Sequence, residues 1–493
     1  MSTSPDVSFL SHRAASYSRH DPKVPRRLLT RESAHALATF VQQQTRTERY
    51  VLPVVIRHAI TSVATQRVGF DPQASDVDEL LVSWPTMLGS SISVTIDTNV
   101  RDVATLQRVI DRASVAKTPP PKHMAMDDGD DDPSLDRPRT YLPVALYHDA
   151  TIEGMAYGRG AALTRLLEPF HGTDWHGMGT VALCGQSCYM LGEDPTRGLF
   201  AESTDCEVSM SARSADGSAV GWAGRTHRDW QRLDPAEVAR EAIATAEQHR
   251  NPSRVEPGRY TAILSPTAVG QLLRTMASGY DIMSDSPFDL PGHNRPGGPD
   301  RRGQRVFDAR ITLSTDPTDP EAGEFPFMDD GTPNPKSVWV ENGVLKTRAA
   351  SYLPAALDYG FTPRDVPTGV RMSGGTTSIA DMIAQCKRGI YVNRFADLRV
   401  VHPHSGALSG FTRDGCLLIL NGKISRPVTN FRIFESPFLS FNRVLAIGPA
   451  RRVAFGFTPP QSTDYHEHWP LKPVIAPSLM VQDFNFEALS DAT

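Results

Sequence analysis

Two Asn-Gly dipeptides, Asn342-Gly343 and Asn421-Gly422, each lie between short apolar runs: Ser337 to Val340 and Val344 to Lys346, then Cys416 to Leu420 and Lys423 to Val428. A two-residue hairpin turn needs positive φ at both central residues, which Asn and Gly adopt at low steric cost, so this dipeptide is the strongest short hairpin signal a chain carries. Asp414-Gly415 precedes the second pair. The pattern predicts a C-terminal half of antiparallel hairpins. Its helices are expected only over Pro266 to Ala277 and Ser378 to Lys387.

The first half reads differently. Tyr50 to Phe70 and Leu80 to Thr98 have the β-branched, alternating character of strands, and Val103 to Ala116 reads as a helix. Pro119-Pro120-Pro121 and the acidic run Asp127 to Asp132 mark a loop over 118–139, since Pro cannot continue a ladder and stacked like charges repel. That run lacks the Glu at the twelfth loop position of an EF-hand, so it reads as solvated loop rather than a calcium site. The best-specified helix runs from Pro235 to about His249: Asp234 is the N-cap, Glu237 completes a capping box, and Leu233 with Val238 forms a hydrophobic staple. Its buried stripe is Ala239, Ala242, Ile243 and Ala246. Gly158-Arg159-Gly160 lacks the third Gly of a dinucleotide fingerprint and reads as a turn. The expected fold is α+β: a disordered tail over 1–25, a sheet-and-helix domain over 26–250, and a β-rich domain over 256–493.

The 493 residues carry a net charge of -5, with basic residues dispersed and densest at Arg301, Arg302 and Arg305. Nucleic acid is therefore not expected as a partner, because phosphate binding relies on a concentrated basic face. The five cysteines are an odd, sparse set, which fits a reducing compartment, and the cytoplasm is the expected location. Cys184 and Cys188 have the wrong spacing for a zinc knuckle and are expected as inert thiols. No membrane span is expected, since no apolar run approaches the roughly 18 residues that one needs.

An ordered set of motifs carries a family resemblance. Glu256-Pro257-Gly258-Arg259-Tyr260 leads into a helix; then follow Asp329-Asp330-Gly331-Thr332-Pro333, Val340-Glu341-Asn342-Gly343-Val344-Leu345, Lys387-Arg388-Gly389-Ile390-Tyr391-Val392 and Ile419 to Val428. With helices at Asp102 to Ala116 and Asp234 to Ala246, this order resembles the TldD/PmbA family of zinc metallopeptidases over about four fifths of the chain. The resemblance implies a helix bearing H-E-x-x-x-H, a Cys near the C-terminus as third ligand, and an acidic motif Asp-Asp-Glu-Gly.

This chain departs from each of those features. Anchoring on Leu272-Leu273 places Arg274 and Gly279 at the two His positions and Thr275 at the Glu; no Cys follows Cys416, and the acidic motif lacks its Glu. A zinc site needs lone-pair donors, and an arginine repels a dication. The helix nonetheless keeps a core-facing stripe of Val269, Leu272, Leu273 and Met276, with Ser265 as cap and Gly279 at its end. The chain thus resembles the PmbA (TldE) type of subunit, a pseudoenzyme expected to have no catalytic residues and no cofactor of its own. Zinc is then expected in a TldD-type partner that cleaves an extended peptide held by both subunits. Two alternatives stay open. One is a displaced metal site drawn from His402, His404, His466 or His468 with Asp329 or Asp330; the other is a homodimeric peptide-binding scaffold without catalysis.

Overall fold

A computed structural model describes residues 27–45, 53–85, 91–96, 107–108, 110–111, 141–192, 198–279, 303–327, 333–346, 369–402, 405–456 and 473–490. The expected tail over 1–25 and the loop over 118–139 lie outside these residues, as does most of the expected helix at 103–116, whose described positions are helical.

The N-terminal region is a six-stranded antiparallel sheet of β1 (Val54–Arg67), β2 (Gln73–Pro85), β3 (Ser91–Ile96), β4 (His176–Leu191), β5 (Gly198–Arg213) and β6 (Val220–His227), in the order β3-β2-β1-β4-β5-β6. Strands β4 and β5 pair along their whole length, from His176↔Arg213 to Leu191↔Gly198. Three helices, α1 (Arg31–Thr45), α2 (Asp149–Leu167) and α3 (Pro235–Gln248), pack on this sheet. Along β4, Val181 and Leu183 pack with the cluster that includes α2 and α3, and Leu191 with the one that includes α1. Cys188 and Met190 point the other way and pack with Phe327 of the C-terminal region. Burial on both faces explains why much of β4 reads as an apolar run without alternation, whereas β5 alternates Asp205, Glu207, Ser209 and Ser211 with the buried Cys206, Val208, Met210 and Ala212.

The segment Gly158-Arg159-Gly160, expected as a turn, lies inside α2. Glycine is tolerated there because the indole of Trp230 lies against that face: a Cβ on Gly158 would come within 2.6 Å of the ring, and one on Gly154 within 2.8 Å. Arg159 projects to Asp76 and Ser62 on the sheet. In α3 the expected N-cap and the alanines of the stripe are present, with Ile243 half-buried. Asp234 accepts from Ala236 N at 3.0 Å, and Ala239, Ala242 and Ala246 are fully buried. The small stripe lets α3 meet β6 backbone to backbone, since a Cβ on Gly221 would lie 2.4 Å from Ala242 O.

The C-terminal region is an 11-stranded mixed sheet. Five of its strands close on themselves: β7 (Gly258–Leu264) pairs parallel with β12 (Arg388–His402), then β13 (Ala407–Leu420), β15 (Phe431–Glu435) and β17 (Val474–Leu489) follow antiparallel, and β17 pairs back onto β7. The closed part is filled by Phe395, Phe431, Phe484 and Phe486; Phe395 stacks on Phe484 with centroids 6.0 Å apart. Closure removes edges within the chain itself at β7 and β17.

Both Asn-Gly turns form as expected. Asn342 and Gly343 have φ of 49° and 79° between β9 (Ser337–Glu341) and β10 (Val344–Leu345), and Asn421 and Gly422 have φ of 52° and 77° between β13 and β14 (Lys423–Val428). Asp414-Gly415, with φ of 51° and 124°, makes a bulge inside β13 where its register with β12 shifts. The expected helices are α4 (Pro266–Gly279) and α5 (Ile379–Gln385), with one further short turn, α6 (Pro437–Ser440). The remaining strands are β8 (Leu313–Thr315), β11 (Val370–Met372) and β16 (Val444–Arg452).

Candidate functional site at the helix after β7

Ser265 joins β7 to α4 and is held from three sides. Its N–H donates to Val392 O at 3.0 Å, its hydroxyl donates to Asn393 O, and the same oxygen accepts from Ala268 N at 3.1 Å. That is an N-cap anchored to β12 as well as to the helix. Ala268, Val269, Leu272, Leu273 and Met276 are buried, each at 2% exposure or less, so the apolar stripe seats α4 on the closed sheet. Gln271 adds a second tie: its amide Nε2 donates to Phe395 O at 2.8 Å and its Oε1 accepts from Phe395 N at 2.7 Å, in the manner of a paired strand residue. Sequence reasoning did not single out Gln271, and no spacing rule points to it.

The positions aligned with the metal motif follow directly. Arg274 is exposed, with its guanidinium 4.9 Å from the centre of the Phe455 ring. Desolvation of that head lowers its pKa, and Glu207 opposes the shift. Thr275 donates its hydroxyl to Gln271 O at 2.9 Å, within its own helix. Gly279 is the last helical residue. A cation, a hydroxyl bonded into the helix and a glycine do not fit a zinc ion, so no chemistry is routed through one here.

Arg274 stands beside a buried ionic junction between the two sheets. Asp205 and Glu207 on β5 lie opposite Cys184 and Ala182 in register, on the face turned to the C-terminal region. Both carboxylates are buried. Asp205 pairs with Arg452 of β16, and Glu207 accepts from Phe455 N at 3.1 Å. Arg452 also donates to Glu321 O at 2.6 Å, and buried Arg228 donates to Gly323 O at 2.6 Å. Burial lowers the pKa of Arg228 to about 10, Asp205 opposing and Arg452 adding to the shift. Next to this junction Arg394 pairs with Asp414 and lies over the Trp222 ring at 4.6 Å.

Of the displaced-site candidates, His402 is exposed at the end of β12 with Nδ1 2.7 Å from Ser405 Oγ. His404, His466, His468, Asp329 and Asp330 lie outside the described residues. Among the described residues no three His, Cys, Asp or Glu side chains gather to hold a metal, and no helix is long and apolar enough to cross a membrane. All five cysteines are buried free thiols, as expected for Cys184 and Cys188. Burial raises the pKa of each, to about 12 for Cys416, which leaves them poor nucleophiles and ligands.

Two stacked β regions with the second closed around α4 define a mixed α+β architecture, and known proteins share it. A Bacteroides thetaiotaomicron protein described as a candidate modulator of DNA gyrase superposes with a TM-score of 0.68 at 15% identity, covering 94% of this chain and 100% of that one. TldE from Thermococcus kodakarensis gives 0.64 at 16% identity, covering 91% and 98%. These likenesses concern the fold. In sequence, residues 257–488 match the family profile described as PmbA/TldA metallopeptidase C-terminal domain. A metalloprotease TldD homolog of Buchnera aphidicola is 27% identical over 179 residues, 32% of this chain and 37% of that protein. A metalloprotease of Archaeoglobus fulgidus is 36% identical over 103 residues, 19% of this chain and 24% of that protein. The alignments thus span well under half the length of these two relatives. Over residues 257–488 the chain is related to the PmbA/TldD metallopeptidase family.

Proposed function

We propose that this chain is a PmbA/TldE-like subunit without catalysis of its own, holding an extended peptide for a zinc-bearing TldD-type partner. The observation that carries this reading is α4: its cap, stripe and Gln271 tie are intact, while Arg274 and Thr275 stand where the resemblance puts a metal ligand and the general base. A fold kept around a site whose chemistry has been exchanged for a cation fits a binding role. Binding of an extended peptide by main-chain pairing tolerates many sequences, as suits a wall shared between two subunits. Two measurements test the reading. Metal analysis of the dialysed chain should find no stoichiometric zinc, and a relative carrying H-E-x-x-x-H should co-purify with it and cleave peptide only in its presence. Proteolysis by this chain alone, abolished by a chelator, would overturn it.

A further inference from the structure

We infer that Asp205 and Glu207 of β5 form a two-point latch that clamps the N-terminal sheet to the Arg452–Phe455 segment beneath Arg274. Residues two apart on a strand point to the same face, and here that face is the one turned to the C-terminal region. Each carboxylate meets a different kind of partner there. Asp205, held in place by Cys206 N at 2.9 Å, takes the guanidinium of Arg452, whose side chain is only 5% exposed. Glu207, 1% exposed, takes the main-chain N–H of Phe455. Arg452 and Phe455 flank Val453, whose own N–H donates to Val474 O at 3.0 Å inside the C-terminal region. Both ends of this short segment are therefore bound to β5 and its middle to its own sheet.

The partners are buried charges, and this sets the behaviour. A carboxylate out of water cannot exchange its partner for solvent at low cost, so the two contacts hold or release together. Phe455 also carries the ring over which Arg274 lies, so the latch fixes the floor of the site from the opposite sheet. The assignment stands whether or not the chain is a silent subunit.

Amide hydrogen exchange on the full chain tests it, because Phe455 and Val453 report on the two sides of the segment. In Glu207→Met the Phe455 amide should exchange about a hundredfold faster, the scale of breaking a buried charged contact, while the Val453 amide stays protected. The decisive variant is Asp205→Asn, which does not touch the Phe455 N–H. A latch requires the Phe455 amide to speed up there too, by about tenfold, with the β4–β5 ladder unchanged. Unchanged exchange at Phe455 in Asp205→Asn would reduce the contacts to two independent bonds and overturn the inference. Equal acceleration through β4 and β5 would overturn it as well, by showing that the carboxylates support the whole fold and not a local clamp.

Discussion

The two sheets solve the same problem in opposite ways. The N-terminal one is open, built from neighbouring antiparallel strands, and buries itself by taking helices on one face and the C-terminal region on the other. The C-terminal one closes by pairing β17 with β7, strands more than 200 residues apart, around a group of phenylalanines. Helix α4 is tied into that closure through Ser265 and Gln271. Hairpin pairing on both sides of the one long-range join, β1 with β4, made a platform, and non-local pairing closed the frame that seats α4.

The largest expected effect is in the closed frame. Phe484 is 1% exposed and touches both Phe395 and Phe486, so Phe484→Ala should cost about 3–5 kcal/mol of stability in denaturant unfolding. Leu183→Ala, equally buried in the open sheet, should cost about 2–5 kcal/mol and leave the circular-dichroism signals of the aromatic cluster native. If Leu183→Ala disturbs those signals as much as Phe484→Ala, the two regions do not behave separately and the comparison fails.

A middle-sized effect lies where α2 meets Trp230. Gly158→Val adds volume into a space the indole already fills, and overpacking of this kind costs about 1–3 kcal/mol. Trp230→Leu in the same background should recover part of the loss. A Gly158→Val protein as stable as the parent would return this segment to the status of a loosely packed turn.

The smallest effect is a pH dependence at the seam. His249, after α3, donates from Nε2 to Val428 O at 3.0 Å. Burial holds its pKa below the ordinary 6.5, with that hydrogen bond opposing the shift. The folded imidazole is therefore neutral where the unfolded one already takes a proton. Stability is complete above the unfolded value and is lost as pH falls through it, because the unfolded chain then binds more protons. The urea midpoint should drop between about pH 7.5 and about pH 5.5, and less so in His249→Gln. An equal drop in both proteins would assign the dependence elsewhere.

Much of this was legible in the chain, and the boundary has physical causes. The Asn-Gly hairpins, the cap and stripe of α3 and the stripe of α4 are local: their signals sit within a turn or two of the residues that respond. Helix α2 was not legible, because its glycines match Trp230, a partner some 70 residues away that local pattern does not reveal. Strand β4 was hidden because burial on both faces erases the alternation that marks a strand. At the candidate site, the residues standing at the aligned metal positions were readable from the order of motifs, whereas Gln271 was not, because its partner is the main chain of a distant strand.

By itself, then, the sequence determined where turns must fall, which helix faces are apolar, and that the helix after β7 carries Arg274 and Thr275 but no imidazole or carboxylate. Those are properties of side chains and of φ preferences, which each residue brings with it. Only the tertiary structure decided that β17 closes onto β7, that Trp230 fills the glycine face of α2, and that Asp205 and Glu207 reach Arg452 and Phe455 across the seam. Each of these depends on a partner far away in the chain, and the free energy of such a contact exists only once both surfaces have left water together.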